Sequence, residues 1–298
     1  MHAPAVSVVV PTWNRAVLLA HAVASVRAQT FTDWELIVVD DGSTDDTVEL
    51  LDRLAEPRLT TLRLAHGANP ARARNAGIRV AGGTYVAFLD SDDTWSQDKL
   101  AVQVAELERG RCRWGYTGIR RMDAAGGELP LMLEPHNLPG GHILESLLRL
   151  EAKVALPTVI VERSLLEAVG GFDETFVHCE DYELWMRLAE TGPAQVTPTA
   201  LSSIRSHEVQ VHKQADRVAV EAEWVRLFSR HAASARDPRI AALSRAQRDE
   251  RLLRLIRAAN AHGEGATALG NLSRGTTALW NRPSFWWELT RALLIPFP

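Results

Sequence analysis

The chain is poor in cysteine: 298 residues carry two, Cys112 and Cys179. Two thiols exclude a disulfide framework and make a reducing, cytoplasmic setting the expectation. No stretch reaches the ~18 apolar residues of a membrane-spanning helix. The first residues show neither a charged leader nor a cleavage signal, so no signal peptide is expected. There is no excess of positive charge either. The net charge is −4, which disfavours a general nucleic-acid role. No internal repeat is visible.

What the chain does have is a hydrophobic fraction of 46% and an ordinary charged fraction of 23%, enough for a sizeable core. The charge is unevenly spread. Residues 231–298 hold ten arginines against five acids, leaving the rest of the chain strongly acidic. The segment from Val6 to Val10 is β-branched and ends at Pro11, as a buried strand does. Ala16–Ala28 has helical spacing, and Trp34–Val39 reads as a second strand. Ser43 or Thr44 is expected to cap a helix through Leu54. Leu59–Leu64 reads as a strand, Ala71–Ala81 as a helix stopped by Gly82-Gly83, and Tyr85–Leu89 as a fourth strand. This alternation predicts a three-layer α/β/α architecture on a mostly parallel sheet.

Further along, a helix is expected over Leu100–Arg109, started by Thr94 or Ser96, and a strand over Gly115–Met122. Residues 123–141 read as a loop. Helix follows at Ile143–Leu150, strand at Val154–Glu162, and a short helix at Ser164–Val169. Tyr182–Thr191 reads as a helix and Val196–Arg205 as a strand. Two amphipathic helices, Ala215–His231 and Ile240–Ala261, precede a tail rich in tryptophan. The expected division is a catalytic domain over 1–212, with halves 1–110 and 111–212, and a helical extension over 213–298.

Chemistry concentrates at the ends of the strands. Phe88-Leu89 runs into Asp90-Ser91-Asp92-Asp93, where open α/β sheets hold ligands. Carboxylates so close are unfavourable unless a cation lies between them, and a hard divalent metal on a diphosphate meets that need. The other reading is an acidic turn before a helix. Trp13 and Asp41 follow neighbouring strands; a flat ring and a carboxylate suit a planar, N–H-bearing base. Packing and a charged helix entry are the competing account. Arg72 and Arg74 open a helix against its dipole, so each pairs with an anionic ligand or with Asp40 or Asp90. Glu180-Asp181 either complements a helix dipole or supplies a general base. His178 lacks the companions of a zinc site. Arg205, His207 and His212 follow a late strand, on a segment that could meet a diphosphate and its metal or lie as an exposed loop.

The order of these motifs resembles the inverting glycosyltransferases of family 2, with the GT-A fold. The match runs over roughly residues 5–210: Pro11-Thr12-Trp13-Asn14-Arg15, Asp40-Asp41-Gly42-Ser43, Ala73-Arg74-Asn75, Asp90-Ser91-Asp92, Gly170-Gly171-Phe172 and Glu180-Asp181-Tyr182. The resemblance implies transfer of a sugar from a nucleotide-diphosphate donor to an acceptor hydroxyl, in cell-surface glycan or polysaccharide synthesis. It implies that Pro11, Trp13 and Asp41 border the base, with Asp40 or Arg74 nearby. Asp90 would face ribose and metal, and Asp92 would hold Mg²⁺ or Mn²⁺, with Asp93 beside it as a substitute. His207 would join the metal side, and Arg205 the segment over the diphosphate. Asp181 would be the catalytic base and Glu180 would share the acceptor site. The acceptor would be a glycan, a lipid-linked molecule or a small molecule. The basic, aromatic tail either packs on protein, including a second subunit of a homodimer, or lies on an anionic membrane surface. A nucleotidyltransferase would want a glycine-rich basic loop where Pro-Thr-Trp-Asn-Arg stands. A non-catalytic glycan- or sugar-nucleotide-binding protein would need no base.

Overall fold

The structure is a computed structural model that describes residues 3–110, 112–129, 138–206 and 216–261. It divides into two compact units, residues 1–208 and 209–298. His207, His212 and the tail over 262–298 lie outside the described residues.

The first unit is built on β1 (Val6–Thr12), α1 (Ala16–Arg27), β2 (Trp34–Asp40), α2 (Thr47–Arg53), β3 (Leu59–Arg63), α3 (Pro70–Val80) and β4 (Tyr85–Phe88). Next come β5 (Thr94–Trp95), α4 (Lys99–Gly110), β6 (Trp114–Met122), β7 (Glu128–Leu129) and α5 (Leu144–Leu148). A 3₁₀ turn at Leu156–Thr158 leads to β8 (Ile160–Glu162), α6 (Arg163–Ala168), α7 (Glu180–Thr191) and β9 (Gln195–Arg205). The strands form one sheet in the order β3-β2-β1-β4-β8-β6-β9-β5, with β7 on β6. The block β3-β2-β1-β4 is parallel throughout. β8 joins it antiparallel to β4, and β9 runs parallel to β6.

Alternation along β1 sorts its two faces. Val6, Val8 and Val10 point into a core with Leu19, Val23 and Val26 of α1, Leu51 of α2, and Leu100, Val104 and Leu107 of α4. Val9 points the other way, against Gly77 of α3, where an added methyl would lie 2.5 Å from Val9 Cγ1. The helix therefore sits close to the sheet because residue 77 has no side chain.

Three local expectations differ from the structure. α2 begins at Thr47, not at Ser43 or Thr44. The Ser43 hydroxyl instead accepts the Asn14 amide (2.8 Å), and the Asn14 side chain accepts from Thr44 N (2.7 Å). Thr94-Trp95 pairs with Ser202-Ser203 of β9, so α4 starts after it, at Lys99. The stretch over 154–162 is strand only from Ile160, because Pro157 sits in the preceding 3₁₀ turn.

The second unit contains α8 (Arg217–Ser234) and α9 (Pro238–Ala261). They pack through Leu252, Leu253, Leu255 and Ile256 against Val218, Ala222 and Val225. Asp216 caps α8 by accepting from Val218 N (2.9 Å). Among the described residues no helix is long and apolar enough to cross a membrane.

Candidate active site

The carboxyl ends of β1, β2 and β4 open on the same edge of the parallel block, because their register is in phase: Pro11 faces Val39, and Val9 faces Phe88. Each strand delivers a short polar turn there, as the topology of such sheets requires.

β4 delivers Asp90, Asp92 and Asp93. Asp90 Oδ1 accepts from Arg74 Nη2 of α3 at 2.9 Å. The second nitrogen of the same guanidinium, Nη1, donates to Glu180 Oε1 at 2.7 Å, at the first turn of α7. Arg74 is 6% exposed. Burial alone would lower its pKa, but the Asp90 and Glu180 charges hold it above the ordinary value. Burial raises the pKa of Asp90 and of Glu180, and Arg74 opposes the rise. One arginine thus ties the end of β4 to the start of α7, 90 residues away in sequence. Arg72 does something different: its side chain donates to Ala65 O (3.2 Å).

Asp181 follows Glu180 on α7 and is only partly exposed. Its pKa is pushed up to about 7, first by burial and then by the neighbouring Glu180 charge. A carboxylate titrating near neutrality is suited to taking a proton from a hydroxyl. Asp93 is buried and its pKa stands well above the ordinary value, from burial and then from Asp92 and Asp90. Its carboxylate accepts from Arg205 N at 2.9 Å.

Arg15, at the entry to α1, pairs with Asp92. The Arg205 side chain donates to Asp92 O (3.1 Å) and to Ala124 O (2.9 Å), so it braces the acidic turn through backbone carbonyls.

β2 delivers Asp40 and Asp41, both buried. Asp40 Oδ1 accepts from Ser43 N (3.0 Å), closing the turn in which Gly42 adopts φ +79°. The Asp41 carboxylate accepts from Gly67 N (3.2 Å) and Ala68 N (3.0 Å). The indole of Trp13 is 47% exposed and stacks on His66, with centroids 4.4 Å apart and an interplanar angle of 16°. Pro11 lies in β1, one residue before its end.

Behind these groups, Asn75 of α3 clamps the Gly170-Gly171-Phe172 turn. It donates to Phe172 O (2.9 Å) and accepts from Phe172 N (2.9 Å). Both glycines have positive φ, 84° and 68°. Phe172 packs edge-on against Phe88 and Trp185, which seats α7 on the end of β4.

Among the sequence candidates, then, Arg74, Asp90, Glu180 and Asp181 share one cluster, Asp92, Asp93 and Arg205 border it, and Trp13 and Asp41 form a separate lip with His66. Sequence reasoning did not single out Arg15 or His66 as contacts of these groups. Arg15 was visible as the last member of the Pro-Thr-Trp-Asn-Arg run; His66 had no signal.

The protein offers oxygen donors at Asp90 and Asp92, the chemistry a hard divalent cation prefers. Among the described residues no group of three or more His, Cys, Asp or Glu side chains forms a complete metal cage. The two carboxylates, paired here with Arg74 and Arg15, fit a cation that is completed by phosphate oxygens, as Mg²⁺ commonly is.

Residues 7–151 match the family model described as Glycosyl transferase family 2. An uncharacterized glycosyltransferase of Rickettsia felis is 31% identical over 207 residues, 69% of this chain and 33% of that protein. The chain therefore spans about a third of that relative's length. UDP-Glc:alpha-D-GlcNAc-diphosphoundecaprenol beta-1,3-glucosyltransferase WfgD of Escherichia coli is 30% identical, over 61% of this chain and 69% of that protein. Putative teichuronic acid biosynthesis glycosyltransferase TuaG of Bacillus subtilis is 32% identical, over 63% of this chain and 73% of that protein. The fold is similar to S. aureus TarS 1-349 in complex with UDP-GlcNAc, with TM-score 0.65 and 20% identity over 97% of this chain and 79% of that one. It is also similar to the mannosyltransferase PcManGT of Pyrobaculum calidifontis in complex with GDP-Man and Mn²⁺, with TM-score 0.63 and 22% identity over 98% and 86%. The parallel block, the acidic turn after β4 and the paired carboxylates opening α7 thus occur in a chain with the GT-A fold that belongs to glycosyl transferase family 2.

Proposed function

We propose that this protein transfers a sugar from a nucleoside-diphosphate donor to an acceptor hydroxyl, with inversion at the anomeric carbon. The observation that carries the reading is the bridge from Asp90 through Arg74 to Glu180, which sets Asp181 in the same cluster as the acidic turn after β4. Asp181, with its pKa near 7, takes the proton of the attacking hydroxyl. Asp90 and Asp92 would hold Mg²⁺ or Mn²⁺, which would supply positive charge to offset that of the departing diphosphate. Glu180, fixed by Arg74, borders the acceptor and keeps the field around Asp181 negative. Trp13 and Asp41 receive the base. His207 would be a further ligand to that cation.

The relatives bear on the substrates. WfgD is named for a UDP-Glc donor and a diphosphoundecaprenol-linked acceptor, and TuaG for teichuronic acid biosynthesis. A lipid-linked or polysaccharide acceptor for this chain follows by analogy, and with it a peripheral place at a membrane surface.

The test is a thermal-shift panel of UDP-, GDP- and dTDP-sugars with and without Mn²⁺, followed by a transfer assay with the stabilising donor. Binding raises the melting point by an amount that grows with the logarithm of ligand concentration over Kd. Asp181→Asn should still be stabilised by donor and metal, and should lose transfer by about 10²–10⁴-fold. Turnover near that of the unchanged protein would remove Asp181 from the role.

A further inference from the structure

A nucleobase needs two things from this lip: a flat surface for its ring and an acceptor for its ring N–H. Both are already in use by one side chain. The His66 imidazole lies nearly parallel to the Trp13 indole, 4.4 Å from it. Its Nδ1 is 2.8 Å from Asp41 O and 3.2 Å from the Asp41 carboxylate. Two rings at that separation leave no gap for a third between them. A base that touches this face of Trp13 and also reaches Asp41 therefore has to occupy the space that His66 fills.

We propose that His66 is a built-in stand-in for the nucleobase, displaced when the donor binds, and that it sets donor affinity by competing for Trp13 and Asp41. The inference rests on the donor-binding reading given above and goes beyond it, since it assigns an opposing role to a residue of the site. Three further features fit a side chain that can leave. Its ring is 40% exposed, so it has solvent to swing into. The Asp41 carboxylate stays oriented without it, because Gly67 N and Ala68 N hold it. The backbone beneath is closely packed: a methyl on residue 42 would lie 2.7 Å from His66 N.

The competition also bears on which base is accepted. A ligand gains only the difference between its own stack and hydrogen bond and those it takes from His66. A base whose N–H meets Asp41 while its ring covers Trp13 recovers both; one that can do only the first is left short.

The experiment is calorimetric titration of UDP and of GDP, each with Mn²⁺, into the full chain and into His66→Ala and His66→Phe, with inorganic pyrophosphate as the base-free probe. His66→Ala should bind the preferred nucleotide about three- to tenfold more tightly, the scale of one lost competing aromatic contact. Its pyrophosphate affinity should stay within about twofold of that of the unchanged protein. His66→Phe keeps a flat ring over Trp13 and should show no gain. Melting curves verify that each variant is folded; both changes are at a half-exposed side chain. Weaker or unchanged nucleotide binding by His66→Ala overturns the proposal and makes His66 part of the base's own pocket or irrelevant to it. Failure of the unchanged protein to bind either nucleotide would instead sink the donor-site reading on which the proposal stands.

Discussion

Arg15 pairs with Asp92 across 77 residues, joining the entry of α1 to the acidic turn after β4. The guanidinium occupies the carboxylate that the proposed cation would use. Arg15→Ala removes this internal competitor. Mn²⁺ should then bind the nucleotide-free protein about fivefold more tightly, read as a larger Mn²⁺-induced rise in melting temperature. An equal or smaller rise would mean that the pair does not compete with metal.

Arg74, itself buried, satisfies the buried Glu180 and the partly exposed Asp90 at once, and removing it strands both. Arg74→Ala should destabilise the first unit by about 3–5 kcal/mol, the usual cost of orphaning a buried ion pair. In melting temperature that is on the order of 10 °C. Arg74→Lys keeps the charge but not the two-pronged geometry, and should fall between. Calorimetric melts of the three proteins check this; a loss under about 1 kcal/mol for the alanine variant would show that the carboxylates find other partners.

Asp181 makes pH a probe of both rate and stability. Its pKa in the folded protein, about 7, lies above the ordinary 3.8. Transfer should therefore rise with pH up to about 7 and level off beyond it, as the base loses its proton. Stability should move the other way. The unfolded chain holds fewer protons at this group between pH 4 and 7, so this residue's contribution falls as pH climbs through that window. Asp181→Asn should remove the acid limb of the rate profile. It should raise the melting temperature more at pH 8 than at pH 4; an equal effect at both would place the residue in an unperturbed setting.

Gly77→Ala tests how closely α3 approaches the sheet. The added methyl would meet Val9 Cγ1 at 2.5 Å, and Val9 is fully buried. Overpacking costs about 1–3 kcal/mol, against a gain in helix propensity of about 1 kcal/mol. A net loss is expected, with nucleotide affinity reduced alongside, since α3 carries Arg74. Unchanged melting would show that the helix moves away at no cost.

Much of this was legible in the chain, and the reasons are physical. β1, β2 and β4 are β-branched or apolar runs with abrupt polar ends, so both the strands and the turns at their carboxyl ends could be read. Asp90 and Asp92 stood out as carboxylates crowded just past a strand end, and Glu180-Asp181 as adjacent carboxylates opening a helix, each beside a structural reading. What could not be read was long-range partnership. Arg74 had Asp40 or Asp90 as candidate partners, and the structure gives it Asp90 together with Glu180. Thr94-Trp95 could not be assigned to β9, because a two-residue strand has no period. His66 sits in a loop whose shape is set by Asp41 accepting its amides, a contact that leaves no trace in local composition.

The single sheet has a consequence for engineering new specificity. β4 of the leading half is hydrogen-bonded to β8 of the trailing half, and β5, encoded early, is paired with β9 at the far edge. A chimera that joins one relative's sequence before residue 111 to another's sequence after it would cut across both seams. Such grafts need crossover points that carry β5 with β9 and preserve the Asn75 clamp on the Gly170-Gly171 turn. Exchange of the surface loops alone leaves every seam intact.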